Sequence, residues 1–189
     1  MGTIAAVVVG LTLVLGGCAE SVMAPQAEVE AARSRAPGPA TISLLTAQYS
    51  NGEGKHSALM INASERVIFD PSGSWFQPGV PERNDVLHGI TDRMLGAYLD
   101  FYARENQHVI VQTMEVAPEI AERALQIVQG YGAVGNARCT IATTDVLSQT
   151  PGLSDTQRRF WPQRAMRDFA ARANVETVVY LGPDGQDAA

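Results

Sequence analysis

Three side chains in this sequence have the chemistry that acyl transfer requires: the thiol of Cys139, the imidazole of His56 and the carboxylate of Asp70. A thiolate attacks a carbonyl carbon, a histidine takes the thiol proton, and a carboxylate orients the imidazole ring. A single cysteine is more often a small buried apolar residue than a nucleophile. The surroundings of Cys139 therefore decide between the two interpretations.

The residues around Cys139 predict the start of a helix. With Asn136 as the N-cap, Cys139 is the third helical residue, where unpaired backbone amides and the helix dipole favour a thiolate. Arg138 adds positive potential if its side chain points the same way. The backbone N–H of Cys139 is suited to stabilise an oxyanion.

His56 begins one predicted strand and Asp70 ends the next, and the two strands form a predicted hairpin. If residues 62–64 are the loop, Ile61 lies opposite Glu65, and His56 then lies opposite Asp70 on the same face. Opposed residues have Cβ atoms about 5 Å apart, which allows a carboxylate to accept an imidazole N–H. A two-residue loop would turn Asp70 to the other face. The alternatives are a solvated strand end for His56 and a turn-forming aspartate before proline for Asp70.

The remaining histidines do not indicate a metal site. His88 and His108 lack a ligand spacing such as H-x-x-x-H, so neither a metal nor another cofactor is expected. We expect His88 at the surface, and His108, at the start of a strand, is the alternative base for Cys139 should the hairpin register differ.

The N-terminal residues 1–17 have no charged side chain, and residues 4–15 are an apolar run. This run is too short to span a bilayer but suits a secretory signal peptide. Its ending, Leu15-Gly16-Gly17-Cys18, resembles a bacterial lipobox, which implies a lipoprotein signal peptide over residues 1–17 and lipid attachment to Cys18. The alternative is an ordinary signal peptide.

A lipidated Cys18 would attach the protein stably to a membrane surface through its acyl chains. Ala19 follows the cysteine in place of an aspartate, which by resemblance to bacterial sorting rules favours the outer membrane, facing the periplasm. In that oxidising compartment a lone thiol such as Cys139 must be buried, paired with another molecule, or used.

Composition restricts the fold and the partners. The 189 residues are 46% hydrophobic and 18% charged, which after removal of a signal peptide fits one domain with a substantial core. The formal net charge of −6 argues against nucleic acid as a partner, because phosphate binding requires a basic face.

The pattern of apolar runs and turn residues predicts an α+β domain with a mainly antiparallel sheet and helices packed on it. We expect a tether over residues 18–40, with a helical turn at 27–34, a folded domain over 41–181, and a loose tail over 182–189. The predicted strands are 42–49, 56–61, 65–70, 108–116 and 175–181. The predicted helices start after Thr91, at Pro118, near Cys139 and after Trp161-Pro162.

The order His56, Asp70, Cys139 is the reverse of the order in papain and resembles that of the permuted papain-like hydrolases. These are relatives of the NlpC-type cell-wall peptidases and include YiiX-like bacterial proteins and lecithin:retinol acyltransferase. The matching segments are His56-Ser57-Ala58-Leu59-Met60-Ile61, the strand that ends at Asp70, Ala137-Arg138-Cys139-Thr140 at a helix start, and Trp161-Pro162 before a helix.

The resemblance covers roughly residues 41–181 and implies a lipid-anchored thiol hydrolase or acyltransferase. In this interpretation Cys139 is the nucleophile and His56 the base, and the substrate is an amide or ester such as a peptidoglycan peptide or a lipid acyl group. These families more often have His, Gln or Glu where this chain has Asp70, so the third residue is left open. The alternative is a non-catalytic lipoprotein of the same fold that binds an envelope partner or ligand.

Aromatic residues suggest where a cleft lies. Tyr49, Trp75, Phe76 and Trp161 are candidates for its lining, with burial in the core as the alternative.

Overall fold

The computed structural model describes residues 21–104 and 106–183. The predicted signal peptide, the predicted lipid attachment at Cys18 and most of the predicted tail lie outside the described residues. The elements in chain order are α1 Gln26–Ala32, β1 Thr41–Tyr49, β2 Gly54–Asn62, β3 Arg66–Phe69, β4 Glu82–Arg83, β5 Val86–Leu87, α2 Asp92–Tyr102, β6 Gln107–Glu115, α3 Pro118–Tyr131, α4 Cys139–Gln149, α5 Pro162–Ala170 and β7 Val175–Tyr180.

In the described residues the strands form one seven-stranded sheet in the order β4-β5-β3-β2-β1-β6-β7. Every pair of neighbouring strands is antiparallel, as predicted. The long strands β1 and β2 lie at its centre, and both are buried over most of their length. None of the helices in the described part of the chain is long and apolar enough to cross a membrane.

Both faces of the sheet are covered, which explains why the central strands are apolar with little alternation. On one face, α3, α4 and α5 pack on side chains such as Ile42 and Leu59. On the other face, α2 packs on Leu45 and Met60. The α+β class is therefore correct, and the helices lie on two sides of the sheet.

The β2–β3 hairpin has a different register from the one predicted. Its loop is residues 63–65, closed by a hydrogen bond from the Ala63 N–H to the Glu65 carbonyl at 3.0 Å. Leu59 pairs with Phe69, so continuation of this register places Asp70 opposite Ala58, two residues from its predicted partner His56. Because the shift is an even number of residues, Asp70 stays on the face of His56.

Three predicted helix starts are confirmed. Thr91 caps α2, its hydroxyl accepting the Met94 N–H at 3.2 Å. Pro118 and Pro162 occupy the first positions of α3 and α5, where the missing N–H costs nothing.

The start of α4 differs from the prediction. Arg138, and not Asn136, is the residue at the N-cap, and Cys139 is the first helical residue instead of the third. The chain reaches the helix through a left-handed residue, Ala137, with φ of 60°. This bend separates Asn136 from the helix axis, so no side chain caps α4.

The segment predicted as a tether packs on the domain from residue 22 onwards. The Ala24 N–H bonds to the Glu82 carbonyl at 2.9 Å, and the Asn84 N–H bonds to the Val22 carbonyl at 3.0 Å. Val29, on α1, is 3% exposed. The folded part therefore begins before the predicted boundary at Thr41.

Candidate active site

The site lies where the third strand stops short of the second. β3 ends at Phe69, opposite Leu59, so the part of β2 that precedes Leu59 has no strand beside it on that edge. The first turn of α4 occupies this position, with the Thr140 hydroxyl 3.2 Å from the Ser57 hydroxyl. This contact holds the start of the helix against β2 one residue from His56.

His56 and Asp70 are in direct contact. The His56 Nε2 lies 2.6 Å from the Asp70 Oδ1, and both side chains are buried. The neighbouring strand pairs put the two residues diagonally across the hairpin, a separation that a histidine and an aspartate can bridge. The predicted proximity of the two side chains is therefore confirmed, although the register that led to it is wrong.

Two tyrosines from α2 hold the Asp70 carboxylate from the other side. Tyr98 donates to Oδ1 at 2.7 Å, and Tyr102 donates to Oδ2 at 3.2 Å. The ring of Tyr102 also stacks on the His56 imidazole, with centroids 4.9 Å apart and planes 7° from parallel. One helix therefore holds both the Asp70 carboxylate and the His56 ring in place.

Gly73 lies against the same carboxylate. A Cβ at this position would be 1.8 Å from the Asp70 Oδ2, a distance no side chain can tolerate. The Gly73 N–H also donates to the Asp70 carbonyl at 2.9 Å. The turn after β3 therefore requires glycine here so that the carboxylate can face His56.

Cys139 is 8% exposed and has no disulfide partner among the described residues. Burial by itself raises the pKa of the thiol, but a hydrogen bond to His56 and the charge of its ring outweigh that effect. The Ser57 N–H and the Thr140 hydroxyl act in the same direction, and the net result is a pKa below the ordinary 9.0. Cys139 therefore tends toward the thiolate.

The charge of His56 is stabilised as well. Burial alone lowers the pKa of the imidazole, but the charge of Asp70 and its hydrogen bond outweigh burial, and Cys139 adds to them, which raises the pKa to about 10. With Nε2 bonded to Asp70, Nδ1 is the ring nitrogen left for the sulfur. Both shifts favour an imidazolium and thiolate pair over the neutral imidazole and thiol.

The first turn of α4 also offers donors for a developing negative charge. The first intrahelical hydrogen bond of α4 runs from the Ala142 N–H to the Arg138 carbonyl at 2.9 Å. The amides of residues 139–141 precede it and have no acceptor within the helix. An acyl oxygen bound beside the sulfur would meet these donors and the positive end of the helix dipole.

The other two histidines lie elsewhere. His88 is 3% exposed, with its Nδ1 3.1 Å from the buried Glu65 carboxylate, so the prediction of a surface position is wrong. His108 lies on β6, separated from β2 by β1, and its Nε2 is 3.3 Å from the Gln48 Oε1. Within the described residues no group of three or more His, Cys, Asp and Glu side chains is arranged to hold a metal ion.

Sequence reasoning missed the supporting residues of this site. Tyr98 and Tyr102 lie four residues apart on α2, and this spacing was the available signal that both hydroxyls could reach one target. The contact between Ser57 and Thr140 had no such signal, because it depends on where β3 ends.

Comparisons with protein families, curated proteins and solved structures give no match for this chain.

Proposed function

We propose that this protein is a thiol hydrolase or acyltransferase with Cys139 as nucleophile, His56 as proton carrier and Asp70 as the residue that positions His56. The observation that carries the proposal is the position of His56 between a thiol of lowered pKa and a buried carboxylate. A structural cysteine needs neither a charged partner nor a free helix start, whereas each of these features activates a nucleophilic thiol.

The reaction follows from these positions. The Cys139 thiolate attacks the acyl carbon, forming a C–S bond, and the amides at the start of α4 bind the oxyanion. The imidazolium of His56 gives its proton to the leaving amine or alcohol as the C–N or C–O bond breaks. Water or another acyl acceptor then gives a proton to His56 and attacks the thioester carbon. The C–S bond breaks, the acyl group leaves on the acceptor, and the thiolate of Cys139 and the imidazolium of His56 are restored.

The proposed substrate is an amide or an ester, such as a peptidoglycan peptide or a lipid acyl group, and the proposed fold is a permuted papain-like domain. The support for the fold is the chain order of His56, Asp70 and Cys139, with the base and acid on neighbouring strands and the thiol at a helix start. We further propose attachment to the outer membrane through lipid on Cys18, with the domain in the periplasm.

The acyl-enzyme tests the catalytic proposal. Incubation with p-nitrophenyl acyl esters should release nitrophenolate and leave a thioester on Cys139, detected as an added acyl mass on the peptide that contains it. Cys139→Ala and His56→Ala should lower the release rate by about a hundredfold or more. An equal rate in Cys139→Ala, or acylation at another residue, would contradict the proposal.

A non-catalytic lipoprotein is the second candidate, and the low exposure of the thiol, 8%, is the observation that favours it. It predicts that Cys139→Ala and His56→Ala leave the cellular phenotype and ligand binding intact.

The proposed membrane attachment through Cys18 has its own test. Cys18→Ala should abolish labelling by palmitate and release the protein from the membrane fraction.

A further inference from the structure

A cleft opens between the β1–β2 turn and the start of α5, on the strand that carries His56. Its volume is about 490 Å³, within the range of pockets that hold small ligands. The lining residues are Tyr49, Glu53, Gly54, Trp161, Gln163, Arg164 and Arg167. The sequence suggested Tyr49 and Trp161 as cleft residues, and both are exposed, at 39% and 56%.

Strand β2 runs from the cleft to His56, the neighbour of the thiol. A strand rises about 3.3 Å per residue, so Gly54 in the cleft is about 7 Å from His56 and about 10 Å from Ser57 along the strand. A Cβ at Gly54 would be 2.6 Å from the Pro162 Cβ, which shows how closely α5 approaches the strand. One wall of the cleft is therefore formed by the same strand that carries His56.

The charge of this region is opposite to that of the whole chain. Residues 138–172 contain six arginines, three aspartates and no glutamate, a net charge of +3 in a protein of formal net charge −6. Arg159 pairs with Asp168 at 2.6 Å, and Arg172 pairs with Asp155 at 2.8 Å. The third aspartate of the segment accepts the hydroxyl of Tyr131.

The aspartates of this segment therefore leave Arg164 and Arg167 free. Both guanidinium groups belong to exposed residues, and neither forms an ion pair within the described residues. They are three residues apart on α5 and so project from one side of the helix. Glu53 is the one acidic residue among those that line the cleft, against these two arginines.

We infer that this cleft binds the part of the substrate that carries a free carboxylate, so that the acyl donor is an anionic molecule. This inference rests on the proposed function, because it assigns the substrate class of the same thiol. Arginine binds carboxylates through two parallel hydrogen bonds, and the rings of Tyr49 and Trp161 provide flat apolar contact for the rest of the molecule. The cleft thus selects the substrate by charge while Cys139 reacts with its acyl carbon.

Two alkylating reagents of different charge test the inference. Iodoacetate is an anion and iodoacetamide is neutral, and both alkylate the same thiolate. At Cys139 we expect the ratio of the iodoacetate rate to the iodoacetamide rate to exceed the same ratio for N-acetylcysteine. In Arg164→Gln/Arg167→Gln the ratio at Cys139 should fall about threefold at low salt. The iodoacetamide rate should stay the same, because these arginines do not touch the thiol.

The matched control is Arg93→Gln/Arg123→Gln, which removes two exposed positive charges from α2 and α3. An unchanged ratio in the α5 variant, or an equal fall in the control, would overturn the inference. Failure of Cys139 to react even with iodoacetamide would count against the proposed function instead.

Quenching of the Trp161 fluorescence by ions measures the charge of the cleft independently of the thiol. Trp75 is 5% exposed, so ionic quenchers act mainly on Trp161. Iodide should quench more strongly than caesium, and the α5 variant should lose that preference while the control keeps it. Equal quenching by the two ions in the unaltered protein would refute a carboxylate site whatever the reactivity of Cys139.

Discussion

His56 connects Cys139 to the rest of the site because its two ring nitrogens have different partners. Nε2 lies 2.6 Å from the Asp70 carboxylate, which leaves Nδ1 for the sulfur of Cys139. Burial alone would lower the pKa of the imidazole and raise that of the thiol, and both shifts run the other way. The charges of Asp70, His56 and Cys139 therefore stabilise one another inside the protein.

Removing the charge of Asp70 should reverse the pKa shifts of His56 and Cys139. In Asp70→Asn the burial of His56 is no longer offset by a carboxylate, so the pKa of the imidazole falls and the pKa of the Cys139 thiol rises. We expect kcat/KM for an acyl ester to fall at least about tenfold at pH 7. Asp100→Asn is the control, because Asp100 on α2 also accepts a tyrosine hydroxyl, but from Tyr180 on β7 and not from the tyrosines that hold Asp70. Equal kcat/KM in the two variants would contradict a positioning role for Asp70.

A substitution at Gly73 should affect the thiol pKa as a substitution at Asp70 does, although Gly73 has no side chain. The Cβ of Gly73→Ala would overlap the Asp70 carboxylate, so the carboxylate must turn away from His56. We expect a folded protein by far-ultraviolet circular dichroism, with a raised thiol pKa measured by absorbance at 240 nm.

Gly96→Ala is the matched control for that change. Gly96 lies inside α2, and an added Cβ meets nothing within 4 Å. Alanine there should raise helix stability by up to about 1 kcal/mol and leave the thiol pKa unchanged. A thiol pKa in Gly73→Ala equal to that of the unaltered protein would show that the carboxylate is not held by this turn.

At the scale of elements, a buried polar cluster holds α1 and α3 to the β2–β3 loop. Glu65 is its centre: Gln129 donates to Oε1 at 3.0 Å, the His88 Nδ1 lies 3.1 Å from Oε2, and the Arg33 Nε lies 3.6 Å from Oε1. These contacts join the N-terminal segment to the sheet. They explain why residues after 22 are not a free tether.

Glu65→Gln should therefore destabilise the whole domain. It leaves buried donors without a charged acceptor, and we expect the free energy of unfolding at pH 7 to fall by about 2 kcal/mol in urea denaturation. Burial alone raises the pKa of Glu65, but His88 and Arg33 lower it overall. The stability gained from this ionised group is thus complete above pH 4.5 and is lost as the pH falls through the lower pKa of the folded state.

The difference in stability between the unaltered protein and Glu65→Gln should accordingly shrink in acid. A difference that stays constant from pH 7 to pH 3 would show that the charge of Glu65 does not stabilise the fold. Glu119→Gln, an exposed change on the first turn of α3, serves as the control.

For the whole molecule, short-range sequence signals predicted the helices and strands. The strand register and the exact helix start at α4 depended on the geometry of the turns. Apolar runs, Thr91 and the prolines before α3 and α5 were sufficient for the α+β class and most of the boundaries. The register of the hairpin and the N-cap of α4 were not predictable, since both depend on turn geometry that several residues can adopt. Ala137, with its positive φ, is an example.

The contact between His56 and Asp70 was predictable for the same reason that the fold class was. Alternation along strands kept His56 and Asp70 on one face, because a loop displaced by one residue shifts the strand pairing by two, an even number. Where β3 ends and how α2 supports the carboxylate could not be read from the sequence, because both are set by packing between distant segments.

The rate at which iodoacetamide alkylates Cys139, followed from pH 4 to pH 10, tests the central claim most directly. Because the thiolate is the reactive form, the rate should rise with pH around a midpoint below 9.0, and His56→Ala should move that midpoint above 9.0, since burial alone raises the pKa of the thiol. A midpoint at or above 9.0 in the unaltered protein, unmoved by His56→Ala, would contradict the assignment of Cys139 and His56 as a catalytic pair.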